Sequence, residues 1–225
     1  MNGIRDNLQR VLERIAAAAL RCGRAPSEVT LLAVSKTFPA EAVSEAFAAG
    51  QCKFGENRVQ ELSEKAPRLP DRCQWHLIGH LQQNKVRQAL QYASVIQSVD
   101  SLSLLQRINR IAEEMNRTPE ILLEVNISGE DSKFGVHPDA VEALLQATRS
   151  GPARCTGLMT IAPLQASGTE LATVFSGLRQ LRDRMVSSTG LALPELSMGM
   201  SGDFEIAIAE GATIVRIGSA IFGQR

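Results

Sequence analysis

Short apolar segments alternate with helical segments eight times along this chain. The apolar segments lack the every-second-residue pattern of half-exposed strands, which indicates strands covered on both faces. Strands joined through helical crossovers pair in parallel, because a parallel connection needs a dozen or more residues. Eight such units predict an α/β protein with a closed (β/α)8 TIM barrel, and an open doubly wound sheet is the alternative. The predicted strands cover residues 31–37, 52–57, 75–81, 94–100, 121–127, 155–161, 195–201 and 213–223.

An extra amphipathic helix precedes these units. Asn2 is suited to cap its first turn, and Gly23 lies just past its end. The sequence predicts no helix after strand 8, so we expect the N-terminal helix to cover the gap between strands 8 and 1. We predict a single barrel unit over residues 1–225. The apolar residues at helical spacing are Ile4, Leu8, Val11, Leu12, Ile15 and Ala19.

The charge balance argues against a polyanionic partner. The chain has 24 Lys and Arg against 24 Asp and Glu, and its few aromatic residues, seven Phe, one Trp and one Tyr, are too scattered to form a base-stacking platform. No apolar run approaches the roughly 20 residues of a membrane-spanning helix, and the N-terminus is polar. We therefore expect a cytoplasmic protein that binds neither nucleic acid nor membranes.

Cysteine and histidine spacing gives no metal signature. The four cysteines contain no CxxC pair, so the sequence predicts neither a zinc site nor a disulfide framework. His76 and His80 share a face of strand 3, but no third ligand is spaced to join them. Both are interpreted as core or site-lining residues.

Charged residues inside predicted barrel strands need an explanation, because an unpaired buried charge is expensive. Lys36 ends strand 1 at the C-terminal face, where barrel enzymes carry their sites. It is either a rim lysine in solvent or an amine that forms a Schiff base with a carbonyl. Arg216 is flanked by apolar residues, so it either pairs with an acid such as Glu124 or contacts a ligand that offers acceptors.

Small residues lie in or directly after the last two predicted strands. Ser201, Gly202 and Asp203 open a helix after strand 7, and Gly218 and Ser219 follow Arg216. Barrels frequently bind phosphate at these two loops, where backbone N–H groups are available. Together with Lys36, this pattern favours a ligand with an aldehyde and a phosphate. That ligand is pyridoxal 5′-phosphate (PLP) or a phosphosugar bound by a Schiff-base aldolase.

Seven ordered motifs resemble those of the pyridoxal phosphate homeostasis protein family, and the resemblance runs from about residue 4 to the C-terminus. The family is similar to the barrel domain of alanine racemase, which implies a fold-type III PLP protein. The motifs are AVSKT (33–37), FGENRVQE (54–61), WHLIGHLQQNK (75–85), VNIS with SKFG (125–128, 132–135), GLMTI (157–161), LSMGMSGDFEIAI (196–208) and VRIGSAIFG (215–223).

The resemblance also implies roles for individual residues. Lys36 of AVSKT would form the internal aldimine with PLP, and Arg216 would face the pyridine nitrogen. The phosphate would be held by Ser201, Gly218 and Ser219 with nearby N–H groups. The pocket would be lined by Asn57, Met159, His76 and Ile78.

The resemblance implies a PLP carrier or regulator without established turnover. PLP-dependent apoenzymes are candidate recipients, and we expect a monomer or weak dimer. An arginine beside the pyridine nitrogen disfavours ring protonation, which weakens PLP as an electron sink. Alanine racemases add a tyrosine base from a second domain, whereas the one tyrosine here, Tyr92, lies on a predicted outer helix. The alternatives are a PLP-dependent amino-acid racemase or related enzyme, and the phosphosugar aldolase.

Overall fold

The computed structural model describes residues 3–130 and 134–224. The predicted helix cap Asn2 and the first two residues of the SKFG motif, Ser132 and Lys133, lie outside the described residues.

Eight parallel strands close into one barrel in sequence order, which confirms the TIM-barrel prediction over the open sheet. The barrel closes where β1 pairs with β8, with Thr30 opposite Ile214 and Leu32 opposite Arg216. The strands are shorter than predicted, because the chain leaves the ladder before the residues at the C-terminal rim. They are β1 Thr30–Val34, β2 Lys53–Glu56, β3 Gln74–Leu77, β4 Val95–Val99, β5 Glu120–Glu124, β6 Arg154–Met159, β7 Glu195–Ser197 and β8 Ile214–Ile217.

Helices surround the barrel. They are α1 Ile4–Arg21, α2 Ala40–Ala48, α3 Val59–Lys65, α4 Val86–Tyr92, α5 Leu102–Glu114, α6 Val141–Ala147, α7 Gly168–Thr189, α8 Phe204–Ala209 and α9 Ser219–Phe222. Short 3-10 turns cover Pro26–Glu28, Ala66–Arg68, Gln83–Lys85, Pro138–Ala140 and Thr148–Ser150.

The prediction that no helix follows strand 8 was wrong. The segment after β8 forms the single-turn helix α9. The predicted role of the N-terminal helix is confirmed, since α1 packs against α2, α8 and α9 and so covers the seam between β8 and β1. The amide of Asn7 donates to the carbonyl of Ile221 at 2.8 Å, which ties α1 to α9.

Local capping signals set the ends of the longest helices. Gly3 occupies the N-cap position of α1, and Gly23 adopts φ +70° just past its end. Before α7, Ser167 and Glu170 exchange side-chain to backbone hydrogen bonds in a capping box. Gly190, at φ +68°, ends α7 in the left-handed conformation that glycine favours.

Two layers of side chains fill the molecule. One face of each strand packs against the helices, as Ala33 and Phe54 do in the main core, and the other face fills the barrel. Inside the barrel, Val95, Leu122 and Met159 form a small separate apolar cluster. Within the two described segments, no helix combines the length and apolarity that crossing a membrane would require.

Candidate functional site

A cavity of about 660 Å³ opens at the C-terminal ends of the strands. This volume is within the range of small-molecule sites, roughly 300–1,000 Å³. Six of the seven residues predicted to bind the cofactor line it, and so does Ile78. The six are Lys36, Asn57, Ser201, Arg216, Gly218 and Ser219.

Lys36 reaches the cavity from a turn and not from the strand. It lies two residues past the end of β1 and shares the cavity wall with Val34, the residue two positions before it. The turn is closed by a hydrogen bond from the N–H of Phe38 to the carbonyl of Ser35 at 3.1 Å. Thr37 adopts φ +68°, which is unusual for a β-branched residue.

Arg216 is buried inside the barrel with 5% of its surface exposed. Its Nη1 donates to Ser197 Oγ at 2.8 Å, and its Nη2 donates to the carbonyl of Thr160 at 2.9 Å. Among the described residues no carboxylate lies within ion-pair distance, so the alternative of a direct pair with Glu124 is not formed. Burial lowers the pKa of Arg216 to about 10, against the opposing effect of the Glu124 and Asp203 carboxylates, so it stays protonated at neutral pH.

A directed hydrogen-bond chain continues from Arg216 across the barrel. Because a guanidinium can only donate, the Ser197 hydroxyl accepts from it and donates to Gln97 Oε1 at 2.6 Å. The Gln97 amide then donates to His76 Nδ1 at 2.8 Å, which places the imidazole proton on Nε2. Burial, with a smaller effect of the Lys53 charge, lowers the pKa of His76 to about 3.

Two predicted pocket residues lie away from the cavity wall. His76 is buried in the hydrogen-bond chain, and Met159 is fully buried in the apolar cluster with Val95 and Leu122. Leu122 and Glu124 share one face of β5, and Glu124 lines the cavity. Leu122 therefore lies deeper in the barrel than Glu124, whereas Met159 is the register partner of Glu124 and lies level with it. Ligand contact by His76 or Met159 stays a prediction.

The loops after β7 and β8 place donors together at one side of the cavity. The N–H of Gly218 donates to Ser201 Oγ at 3.3 Å. Within the described chain, the N–H groups of Ser219 and Ala220 have no acceptor, as expected at the start of a helix. The predicted helix opening at 201–203 is confirmed, since α8 begins at Phe204. These donors suit a phosphate group.

One side of the cavity carries acidic and aromatic side chains. Of these, only Glu124 and His80 were singled out from the sequence. Burial and the nearby Asp100 charge raise the pKa of Glu124 to about 7, although Arg216 opposes this. His80 lines the cavity, where its Nδ1 is 3.1 Å from Asp100 Oδ2 and its ring stacks on Phe134 at 4.4 Å. His80 therefore has the site-lining position that was one of its two expected roles.

The residues that support Arg216 were missed. Gln97 and Ser197 are polar residues within strands that are otherwise apolar, and that contrast was the available signal. The hydrogen bond between them could not be predicted from the sequence, because Gln97 and Ser197 are 100 positions apart in the chain.

A parallel eight-stranded barrel that joins a lysine, a buried arginine and a set of phosphate-suited donors at its C-terminal rim defines an alanine-racemase-type barrel. The family model described as alanine racemase, N-terminal domain, matches residues 5–225. The chain belongs to this family and, within it, to the pyridoxal phosphate homeostasis proteins. The resemblance stated from the motifs is thereby confirmed.

Three relatives illustrate the match. The pyridoxal phosphate homeostasis protein of Aquifex aeolicus (strain VF5) is 44% identical over 222 residues, covering 98% of this chain and 97% of that protein. The protein of the same name from Escherichia coli (strain K12) is 42% identical over 235 residues, covering 100% and 98%. The structure of PipY from Synechococcus elongatus PCC7942, with PLP bound, is 43% identical, covers 95% of this chain and 100% of that chain, and has a TM-score of 0.84.

Proposed function

We propose that this chain binds PLP as a Schiff base on Lys36 and takes part in PLP homeostasis without catalytic turnover. The observation that carries the proposal is the cavity that brings Lys36, Arg216 and the donors of the β7 and β8 loops together. A primary amine suits an aldehyde, and hydroxyl and N–H donors suit a phosphate. The site residues thus fit the aldehyde and the phosphate of PLP.

Each part of the site has a proposed task. Lys36 would hold the aldehyde carbon, and Ser201, Ser219 and the N–H groups near Gly218 would hold the phosphate. Asn57 would line the pocket between them. When bound, PLP supplies an aldehyde and an electron-withdrawing ring.

Arg216 argues for storage over catalysis. It is fixed by two hydrogen bonds and stays positively charged, so a pyridine nitrogen beside it would be held unprotonated. An unprotonated ring withdraws electrons weakly and gives little stabilisation to a carbanion. In the described structure Tyr92 lies at the end of α4 and is not among the cavity-lining residues.

One observation favours a second candidate, a PLP-dependent amino-acid racemase or related enzyme. His80 lines the cavity with Asp100 at its Nδ1, an arrangement that orients an imidazole for proton transfer. This dyad offers a base in a cavity whose described lining contains no tyrosine. Deuterium uptake at Cα of an amino acid at catalytic rates, lost in His80→Asn, would establish this candidate in place of the first.

The decisive experiment is an absorption spectrum of the protein with PLP, followed by borohydride reduction and peptide mapping. We expect a yellow band and a pyridoxyl group on the Lys36 peptide, both lost in Lys36→Ala and both retained in Lys85→Ala. Lys85 is the matched control, because it lies outside the wall of the main cavity. A protein that stays colourless with PLP but traps a phosphosugar on Lys36 would instead identify an aldolase.

We further propose that residues 1–225 act as one barrel unit, as a monomer or weak dimer, and that PLP-dependent apoenzymes receive the bound PLP. Mixing the PLP-loaded protein with an apoenzyme tests the transfer: activity should appear faster than with the Lys36→Ala protein at equal PLP.

A further inference from the structure

A charged cluster lies directly behind the turn that carries Lys36. Ala33 and Phe54 face the helices, so Ser35 and Glu56, two residues further along each chain segment, lie on the same helix-facing side. Helix α3 follows β2 and adds further charged side chains to this side. We name Lys65, Glu56 and Glu61 the lysine clamp.

Lys65 is the centre of the lysine clamp. Its Nζ donates to Glu56 Oε1 at 2.7 Å, to Glu61 Oε2 at 3.1 Å and to the carbonyl of Ser35 at 2.9 Å. These three acceptors satisfy all three protons of an ammonium group. The Lys65 side chain is only 8% exposed, so these bonds are shielded from competing water.

The lysine clamp hydrogen-bonds to both sequence neighbours of Lys36. On one side, Ser35 gives its carbonyl to Lys65 and donates its hydroxyl to Glu56 Oε1 at 2.7 Å. On the other side, the N–H of Thr37 donates to Glu61 Oε2 at 2.6 Å. The peptide groups that flank Lys36 are therefore both held from the side opposite the cavity.

The held conformation is one that the turn would not favour by itself. Thr37 adopts φ +68°, a left-handed conformation that costs energy for a β-branched residue. Such strain persists only where the surroundings impose it, and the bond to Glu61 is part of that constraint. Without the clamp, we expect the turn to relax and the Lys36 side chain to leave its present direction.

Attaching α3 to the barrel through the buried charges of the lysine clamp costs free energy. Glu56 is fully buried, and within the described segments no group hydrogen-bonds its Oε2. Burial raises the pKa of Glu56 despite the bonds from Lys65 and Ser35. Apolar side chains of similar size would often attach a helix to a barrel as well or better, which points to a role beyond adhesion.

We propose that Lys65, held by Glu56 and Glu61, is a positioning residue that fixes the direction in which Lys36 enters the cavity. This inference rests on the proposed role of Lys36, and it adds the residues that prepare that lysine. The inference predicts that substitutions in the lysine clamp leave the residues of the cavity wall unchanged. Among the lysines, only the reactivity of Lys36 should then change.

The test compares Lys65→Met and Glu61→Ala with the control Glu64→Ala. Glu64 is on the same helix as Glu61, but it is exposed and has no hydrogen bond to the turn among the described residues. The PLP-free proteins are pulse-labelled with acetic anhydride from neutral to alkaline pH, and acetylation of Lys36 is measured by peptide mass spectrometry relative to Lys85. PLP affinity is then measured by absorption titration.

We expect both clamp variants to bind PLP at least about tenfold more weakly, the equivalent of about 1.4 kcal/mol. Their Lys36 acetylation profiles should depart from the wild type by about threefold or more, while Glu64→Ala stays within about twofold. A merely structural role lowers the melting temperature and leaves the Lys36 profile of the folded protein unchanged. Superimposable Lys36 profiles would overturn the inference.

Two features of the experiment separate a failure of this inference from a folding failure and from a failure of the proposed function. If Lys65→Met does not fold, Glu61→Ala decides, because it removes the Thr37 contact and leaves Lys65 with Glu56. If the wild type fails to bind PLP, the proposed function fails, while the acetylation profiles of the PLP-free proteins still decide whether the clamp positions Lys36.

Discussion

Arg216 and His76 stand at opposite ends of one hydrogen-bond chain, and the donor-only guanidinium at one end leaves Nδ1 of the imidazole at the other end as an acceptor. Arg216 can only donate, so each hydroxyl and amide between them is oriented away from it, and Nδ1 of His76 is left as the final acceptor. A histidine in this position is a neutral structural partner and does not titrate near neutral pH.

Reversing the hydrogen bond between Gln97 and His76 should make His76 positively charged. In Gln97→Glu a carboxylate replaces the amide that donates to Nδ1, so the imidazole must donate instead and the carboxylate stabilises its protonated form. We expect the pKa of His76 to rise from about 3 to above its ordinary value of 6.5. The measurement is an NMR titration of the three histidines, with His80→Asn to assign the signals.

Gln83→Glu is the control for Gln97→Glu, because it adds the same charge at an exposed position. His76 should stay neutral in that variant. A His76 signal that remains neutral in Gln97→Glu as well would show that the chain is not oriented as described.

Removing the hydroxyl that links Arg216 to Gln97 should destabilise the barrel. Ser197→Ala leaves a buried guanidinium N–H and Gln97 Oε1 without their partner. We expect the free energy of unfolding to fall by about 2–3 kcal/mol, because bonds to charged groups are the stronger ones. Urea denaturation of the PLP-free protein measures this loss.

The matched control for Ser197→Ala is Ser98→Ala. Ser98 is also fully buried, but it donates to a neutral acceptor, the carbonyl of Gly79, at 2.7 Å. Its loss should cost about 1 kcal/mol. Equal losses for the two variants would argue that the charge on Arg216 adds nothing to the Ser197 contact.

Glu124 should make the stability of the PLP-free protein fall as pH rises. An unfolded glutamate loses its proton near 4.5, whereas burial holds the pKa of Glu124 at about 7 in the folded protein. The folded state therefore binds more protons between these values, and its advantage is complete below 4.5 and lost above about 7. The change is on the order of 3 kcal/mol.

Glu124→Gln isolates this effect. The difference in unfolding free energy between variant and wild type should shift in favour of the variant across that pH window, as measured by denaturation at a series of pH values. Glu120→Gln, at the half-exposed opposite end of β5, should parallel the wild type. A constant difference for Glu124→Gln would mean that the carboxyl titrates alike in both states.

A methyl group at Gly79 should disturb Asn57 in the cavity wall. A Cβ there would lie 2.3 Å from the carbonyl oxygen of Asn57, a contact that real structures do not tolerate. We expect Gly79→Ala to lower the free energy of unfolding by about 1–3 kcal/mol, as overpacking does. Thermal denaturation of the PLP-free protein is the measurement.

Gly202→Ala tests whether any glycine of the cavity wall would behave like Gly79. Gly202 also lines the cavity, but a Cβ there meets nothing within 4 Å. Its stability should stay within about 0.5 kcal/mol of the wild type. A comparable loss in both variants would place the cause in the backbone and not in the contact with Asn57.

The sequence predicts the barrel well because its signal is repeated eight times. Lys36 and Arg216 are visible for a separate reason, since a charge in an apolar run must be explained. The helix α9 was not visible, because SAIF reads as a continuation of the apolar strand before it. A single helical turn is too short to show a helical period.

Depth inside the barrel was the main quantity that the sequence could not supply. The family resemblance assigned His76 and Met159 to the pocket, and the structure places both inside the barrel. Alternation along a strand shows only which face a side chain takes. It does not show how far below the rim that side chain lies, because that depends on the stagger of neighbouring strands. The lysine clamp was hidden similarly, since Lys65 reads as an ordinary residue near the end of an amphipathic helix.

With PLP held as proposed, the seam between β1 and β8 would determine when a newly made chain can first bind it. During synthesis Lys36 leaves the ribosome long before Arg216, yet the strand that precedes Lys36 pairs with the strand that contains Arg216. Until that pairing forms, the lysine has neither the arginine nor the donors at Gly218 and Ser219 near it. We expect partly synthesised chains to leave free PLP untouched, so that capture of this reactive aldehyde begins only with the complete barrel.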